Sequence, residues 1–282
     1  MTPMKTINHG ANMNANDAVT LKAFFAFKRH PFPPACAPQP LFHSNSLDAA
    51  LLQAKNALAS RLHLLVTAPP GLGKSSFCRL LLDELNPREF KPLYLVGQPV
   101  GLTDLLRSVA DAFGLESSCR RGRAAAFLAQ GLEKIAASSA AHPVLILDEA
   151  QQLPMEAIEM LRLIAETQNR SILSLVLVAT DDFPRLLARP AFAPLAGRFS
   201  LRLRIAPLSP DQAADFVSHA FAAVGMDNIL APNAIASLHA ASSGSPRRIG
   251  AFLAAAMQRA LIKRSRLLTD EIIQEVIDEP TL

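Results

Sequence analysis

Residues 68–75, Ala-Pro-Pro-Gly-Leu-Gly-Lys-Ser, constrain this chain more than any other segment. They follow a short apolar run at 62–67 and open a helical pattern at 75–85. A Gly-rich turn between a buried strand and a helix is the context that a phosphate-binding loop requires. Gly71 and Gly73 let the backbone fold into a nest whose N–H groups point at phosphate oxygens. The start of the following helix adds positive potential. Ala68, Pro69, Pro70, Gly71, Leu72 and Gly73 then form the cradle. Lys74 is placed to reach the β- and γ-phosphates, the Ser75 hydroxyl to ligate magnesium, and Ser76 to lie near the α-phosphate. The predicted ligands are ATP and Mg2+. A chance Gly-rich turn is the bland alternative, and a second motif argues against it.

That motif is Val144-Leu-Ile-Leu-Asp-Glu-Ala150. An apolar run that ends in two carboxylates is costly at a buried strand end unless a cation or solvent meets them. Asp148 is expected to hold magnesium through water. Glu149 is expected to point the other way along the pleat and to polarise an attacking water. The alternative, an ordinary Asp-Glu helix start, explains neither the buried run nor its place some seventy residues after the loop.

Four apolar runs, 62–67, 93–96, 144–147 and 173–179, alternate with helical segments at 75–85, 102–113, 122–137 and 155–168. Runs apolar nearly throughout predict parallel strands covered on both faces, hence an α/β three-layer sandwich. A fifth strand at 200–205 alternates polar and apolar residues, so one of its faces meets polar surroundings. After 207 only helices are predicted, beginning at Ser209-Pro210-Asp211-Gln212 with a Ser cap, Pro at the first position and Gln three residues on. The predicted organisation is a tail at 1–20, an α/β domain at 21–207 and a small helical lid at 208–282. Pro31 to Pro40 is proline-rich and is expected to lie extended.

Half of the 282 residues are apolar and net charge is +4, a balance that permits nucleic-acid partners without requiring them. Cys36, Cys78 and Cys119 lack metal spacing and read as reduced thiols. No run is long enough to span a membrane and no secretory signal is evident, so the expectation is a cytoplasmic protein without a membrane partner.

Further candidates surround the two motifs. Thr180 follows the strand expected between the motif strands, and its hydroxyl either fixes the attacking water or caps the next helix, a job open to Asp181 too. Gly244-Ser-Pro-Arg-Arg248 starts a lid helix, with Pro246 in its first turn and Arg247 aimed at the γ-phosphate or at solvent. Arg198, just before the fifth strand, is either a finger for a neighbouring subunit's nucleotide or one half of a surface ion pair. Arg120, Arg121 and Arg123 form a basic cluster, and residues 244–266 carry six basic residues and no acid. Such strips track phosphates without reading bases, or are simply solvated faces.

Together these residues resemble the AAA+ superfamily. More narrowly they are similar to the ExeA-like group of secretion-pathway ATPases and ATPase partners of DDE transposases. The resemblance spans 21 to the C-terminus. It rests on Leu-Lys-Ala-Phe-Phe-Ala-Phe-Lys-Arg-His-Pro-Phe32, both ATP motifs, Asp148-Glu-Ala-Gln-Gln-Leu153 and Gly-Ser-Pro-Arg-Arg-Ile249. It implies that Pro31 and Phe32 wall the adenine pocket and that Arg247 is the lid sensor. The sequence departs from the group at Ala26 and Ala68, where glycine is usual, and at Thr180, where Gln or Asn is frequent. Secretion-type members carry a membrane helix and a cell-wall-binding domain after the ATPase, and no such segment follows here. The expectation is therefore a transposition helper, an ATP-bound oligomer on double-stranded DNA that recruits or stimulates a DDE transposase. The alternative is a secretion or assembly accessory that does not touch DNA.

Overall fold

The computed structural model describes residues 20–32, 41–98, 101–115, 123–138, 141–167 and 170–279. A short helix α1 (Leu21–Phe25) and the longer α2 (Asn45–Ala59) precede β1 (Leu64–Thr67) and α3 (Lys74–Glu84). Then come β2 (Phe90–Val96), α4 (Leu102–Ala112), α5 (Ala124–Ser138), β3 (His142–Asp148) and α6 (Met155–Ala165). A small antiparallel pair, β4 (Glu166–Thr167) and β5 (Arg170–Ser171), leads into β6 (Ser174–Ala179). Two short helices, α7 (Phe183–Leu187) and α8 (Ala193–Ala196), precede β7 (Leu201–Arg204). The remainder is helical: α9 (Pro210–Ala222), α10 (Ala234–Ser242), α11 (Pro246–Ile262) and α12 (Asp270–Asp278).

The five main strands pair in parallel in the order β2-β3-β6-β1-β7. The strand at 174–179 therefore does lie between the two motif strands. Alternation along the pleat divides the apolar residues between two cores. Leu65, Leu145, Leu147, Leu175 and Leu177 pack with α4, α5 and α6 on one face. Leu64, Val66, Val144, Ile146, Val176 and Val178 pack with α2 and α3 on the other. Each fully buried aliphatic side chain contributes about 1.5–3 kcal/mol, so the central three strands anchor the domain. This is the three-layer α/β architecture expected from the apolar runs. β7, an edge strand, shows the expected half-exposed face.

Three local expectations change. β2 begins at Phe90, before Pro92, because an edge strand tolerates a proline that a central one would not. The helix expected over 155–168 stops at Ala165, where Glu166 turns extended and enters the small hairpin. The helix that the sequence predicts over 48–60 starts instead at Asn45, where the Ser44 hydroxyl accepts from the Leu47 N–H.

The C-terminal helices form a third core, which also takes in Phe25, Phe27 and Phe32 from the N-terminal segment. Ala26 ends α1 in the left-handed conformation at φ 59°, a conformation in which glycine costs less than alanine. Among the described residues no helix is long and apolar enough to cross a membrane. Cys78 is a free, buried thiol. Cys36, Cys119 and most of the 1–20 and 31–40 stretches lie outside the described residues.

One buried histidine predicts a pH effect. His142, 7% exposed, hydrogen-bonds Ser174 Oγ at 2.9 Å. Burial, then Arg61 and His63, push its pKa down to about 4 from 6.5. The unfolded chain thus takes up this proton near pH 6.5 and the folded one only near 4. Stability should fall across that window as pH drops, by on the order of 3 kcal/mol in all. Urea denaturation at pH 7, 6, 5 and 4 would show it, with a flatter profile for His142→Gln. Equal pH slopes for both proteins would refute it.

Candidate functional site

The phosphate-loop residues fold as their sequence demands. Gly71 and Gly73 both take positive φ, 83° and 93°, which L-residues rarely adopt. Ala68, by contrast, is buried and absent from the positive-φ positions, so its methyl group is accommodated. Lys74 is 6% exposed, and its ammonium donates to the carbonyls of Ala68 at 3.2 Å and Pro69 at 3.5 Å. A buried cation resting on carbonyl oxygens is a receptor for an anion. Ser76 is half-buried in the first turn of α3.

The carboxylate motif meets this loop across the sheet. Asp148 is 1% exposed, yet its carboxylate is fully engaged. Oδ2 accepts from Ser75 Oγ at 3.0 Å and from the Tyr94 hydroxyl at 3.0 Å, and Oδ1 accepts from the Glu149 N–H at 2.8 Å. Burial and then Asp148 push the Tyr94 pKa well up, so the phenol stays a donor. Burial and the same carboxylate raise the Cys78 thiol, which stays protonated. The Ser75 hydroxyl and the Asp148 carboxylate, converging at 3.0 Å, are hard oxygen donors of the kind magnesium takes beside phosphate.

Glu149 departs from expectation. The pleat does not aim it, because the strand ends at Asp148 and Glu149 is left-handed, at φ 52° and ψ 39°. Two backbone contacts impose that corner. The Gly97 N–H donates to Asp148 O at 2.6 Å, and a methyl group on Gly97 would lie 2.5 Å from the Glu149 carbonyl. Only glycine lets β2 approach so closely. The Glu149 carboxylate accepts from Gln151 Nε2 at 2.5 Å.

Thr180 stands at the end of β6, where its N–H donates to Gln151 Oε1 at 3.3 Å. Neither capping role is present: Asp182 precedes α7 with no side-chain cap bond, and Asp181 instead pairs with Arg204 at 2.7 Å.

The start of α11 lies directly on the phosphate loop. Ser245 caps this helix and also donates to Gly71 O at 3.3 Å, while the Arg247 N–H reaches the same carbonyl at 3.4 Å. Arg247 itself is exposed, and Pro246 is half-buried. Phe32 is buried against Phe221 and close to Gly250 of α11; Pro31 beside it is buried too. Arg198 is elsewhere. It precedes β7, the parallel neighbour of β1, and so lies at the opposite end of the strands from the loop that follows β1, with its side chain 57% exposed and 3.3 Å from Glu166.

The basic strips are less uniform than their sequence. Arg259 pairs with Glu275 and Glu279, and Lys263 with Glu275, whose carboxyl Lys263 holds below the usual range. Arg247, Arg248, Arg264 and Arg266 are exposed, as is Arg123; Arg120 and Arg121 lie outside the described residues. Tyr94, Gly97, Gln151 and Ser245 were not singled out from the sequence. Two quoted runs carried a signal, Asp-Glu-Ala-Gln-Gln-Leu for Gln151 and Gly-Ser-Pro-Arg-Arg for Ser245.

The fold and the loop define the class: a three-layer P-loop protein of the AAA+ fold, built to bind nucleotide. Residues 58–187 match the family model described as an AAA domain. General secretion pathway protein A of Aeromonas hydrophila is 30% identical over 233 residues, covering 80% of this chain and 42% of that protein. The chain thus spans under half the length of that curated relative. Among solved structures, the Aeropyrum pernix ORC1 protein in complex with DNA aligns with TM-score 0.66 at 19% identity, over 89% of this chain and 69% of that one. Cdc6p from Pyrobaculum aerophilum aligns with TM-score 0.68 at 17% identity, over 87% and 69%. The Thermotoga maritima RuvB Holliday junction branch migration motor aligns with TM-score 0.58 at 18% identity, over 84% and 69%. Identities this low speak for the fold alone.

Proposed function

We propose that this protein is a magnesium-dependent ATP hydrolase whose bound nucleotide organises copies of itself on double-stranded DNA. The finer reading is a transposition helper that recruits or stimulates a DDE transposase. One observation carries the hydrolase reading: Ser75 Oγ and Asp148 Oδ2 converge at 3.0 Å beside the loop, with Glu149 the next residue. Ser75 and Asp148 would hold magnesium, which when bound neutralises phosphate charge. Lys74 exchanges loop carbonyls for phosphate oxygens. Glu149 takes a proton from water as the water oxygen bonds to the γ-phosphorus. The bond to the β–γ bridging oxygen breaks, its electron pair leaves with ADP, and inorganic phosphate departs. Arg247 reads the nucleotide from a lid formed by residues 208–282, and Phe32 and Pro31 lie on the adenine side.

The DNA reading is supported by the exposed Arg123, Arg247, Arg248, Arg264 and Arg266 and by likeness of fold to a protein solved on DNA. Contacts of this kind are to phosphates, so binding should be sequence-tolerant and steeply salt-dependent. A second reading, a secretion or assembly accessory that never touches DNA, is favoured by the identity to general secretion pathway protein A.

Mobility-shift assays with a non-hydrolysable ATP analogue, with ADP and without nucleotide, at two salt concentrations, separate the two. The expected result is an analogue-dependent shift that weakens as salt rises. Neutralising Arg120, Arg121 and Arg123 together should flatten the log–log salt slope by roughly 0.9 for each DNA phosphate that these arginines neutralise. ATPase activity without DNA should persist. Absence of any nucleotide-dependent shift at low salt would sink the DNA reading and leave the accessory role.

A further inference from the structure

A glutamate in the left-handed region just past a strand end has no neighbouring strand residue to fix its side chain. Glu149 has three side-chain torsions, and left alone its carboxylate would sample several staggered orientations. Gln151 removes that freedom. Its Nε2 donates to Glu149 Oε2 at 2.5 Å, and its Oε1 accepts the Thr180 N–H at 3.3 Å.

The sense of this relay is fixed from both ends. A backbone N–H can only donate, so the amide oxygen must face Thr180. An ionised carboxylate can only accept, so the amide nitrogen must face Glu149. No flipped amide satisfies either end. The root of Gln151 is also held, because it lies in a single turn closed by the Gln152 N–H on Glu149 O at 2.9 Å and the Leu153 N–H on Ala150 O at 3.1 Å. Thr180 directly follows β6, the strand lying between the phosphate-loop strand and the Asp148 strand. One side chain therefore joins the residues that follow two central strands, Glu149 after β3 and Thr180 after β6.

We propose that Gln151 is a positioning residue of the hydrolytic centre. It occupies one oxygen of Glu149, leaves Oε1 for the attacking water, and ties the carboxylate's orientation to the end of β6. A displacement of Thr180 by the γ-phosphate then passes to Glu149 through a single hydrogen-bonded amide. The inference rests on the assignment of Glu149 as the base.

Two variants test it. Gln151→Met keeps length and volume but neither donates nor accepts in this relay. Gln151→Glu keeps an acceptor for Thr180 and sets a second carboxylate against Glu149. ATP affinity, kcat and KM are measured for both, alone and combined with Glu149→Gln. Each single variant is expected to bind ATP within about threefold of wild type. Each should lose roughly tenfold to a hundredfold in kcat at constant KM, a share of what a well-placed base supplies. In the Glu149→Gln background neither should lower kcat further, because the group they orient is already gone.

Wild-type kcat in Gln151→Met would overturn the proposal, as would losses that multiply with that of Glu149→Gln. So would a parallel loss of affinity and kcat with a lowered melting temperature, the mark of a purely structural residue. If Gln151→Met does not fold, Gln151→Glu decides by the same criteria. Unimpaired turnover by Glu149→Gln alone would remove the base assignment itself, a result distinct from any shown by the Gln151 variants.

Discussion

Glu149→Gln is expected to bind ATP as the wild type does and to hydrolyse it about 10² to 10³ times more slowly. The amide is isosteric and can still accept from Gln151, so the corner at the end of β3 should persist. What it loses is the capacity to take the proton of the attacking water. Lys74→Ala is expected to fail one step earlier. Its ammonium is 6% exposed and rests on the carbonyls of Ala68 and Pro69, so its removal leaves the loop without its own cation beside the phosphates. Titration with a fluorescent ATP analogue and release of inorganic phosphate distinguish the two failures. Turnover of Glu149→Gln at the wild-type rate would disprove its role as the base.

Mixing two inactive proteins should restore activity if the site is shared between subunits. Arg198→Ala is expected to keep ATP binding and lose hydrolysis, by up to roughly 10³ if it acts as a finger in trans. Its place supports this: it lies at the far end of the parallel strands from its own phosphate loop, 3.3 Å from Glu166. Arg198→Ala supplies an intact phosphate loop and Lys74→Ala an intact arginine, so mixed assemblies contain some complete sites. An exposed ion pair contributes only about 0–1 kcal/mol, so a purely structural Arg198 predicts little change in activity or stability. No recovery at any mixing ratio, with assembly intact, would count against the finger.

The apolar runs made most of the sheet legible, because strands buried on both faces admit little else. The phosphate loop and Asp148 were legible because their chemistry is local to a few consecutive residues. Glu149 was identified as a residue but not as a geometry. Its direction depends on Gly97, fifty-two positions earlier in the chain, approaching its carbonyl. Gln151 escaped notice as a positioning group because its partner Thr180 becomes a neighbour only through the order of the strands. The 244–266 strip read as an unbroken basic face since Glu275, in the next helix, and Glu279, just after it, neutralise part of it.

The junction between Gly71 and the first turn of α11 has a thermodynamic corollary. Ser245 and Arg247 both rest on one carbonyl of the phosphate loop, and any side chain at Gly71 would collide with Ser245 Oγ at 2.9 Å. On the proposed function, nucleotide that resets this carbonyl would also reset the angle of the C-terminal helices. Linkage is reciprocal: whatever factor nucleotide adds to the closed helical arrangement, closure adds to nucleotide affinity. On the same proposal, a partner that pressed on those helices would alter ATP retention through a single glycine without touching the phosphates.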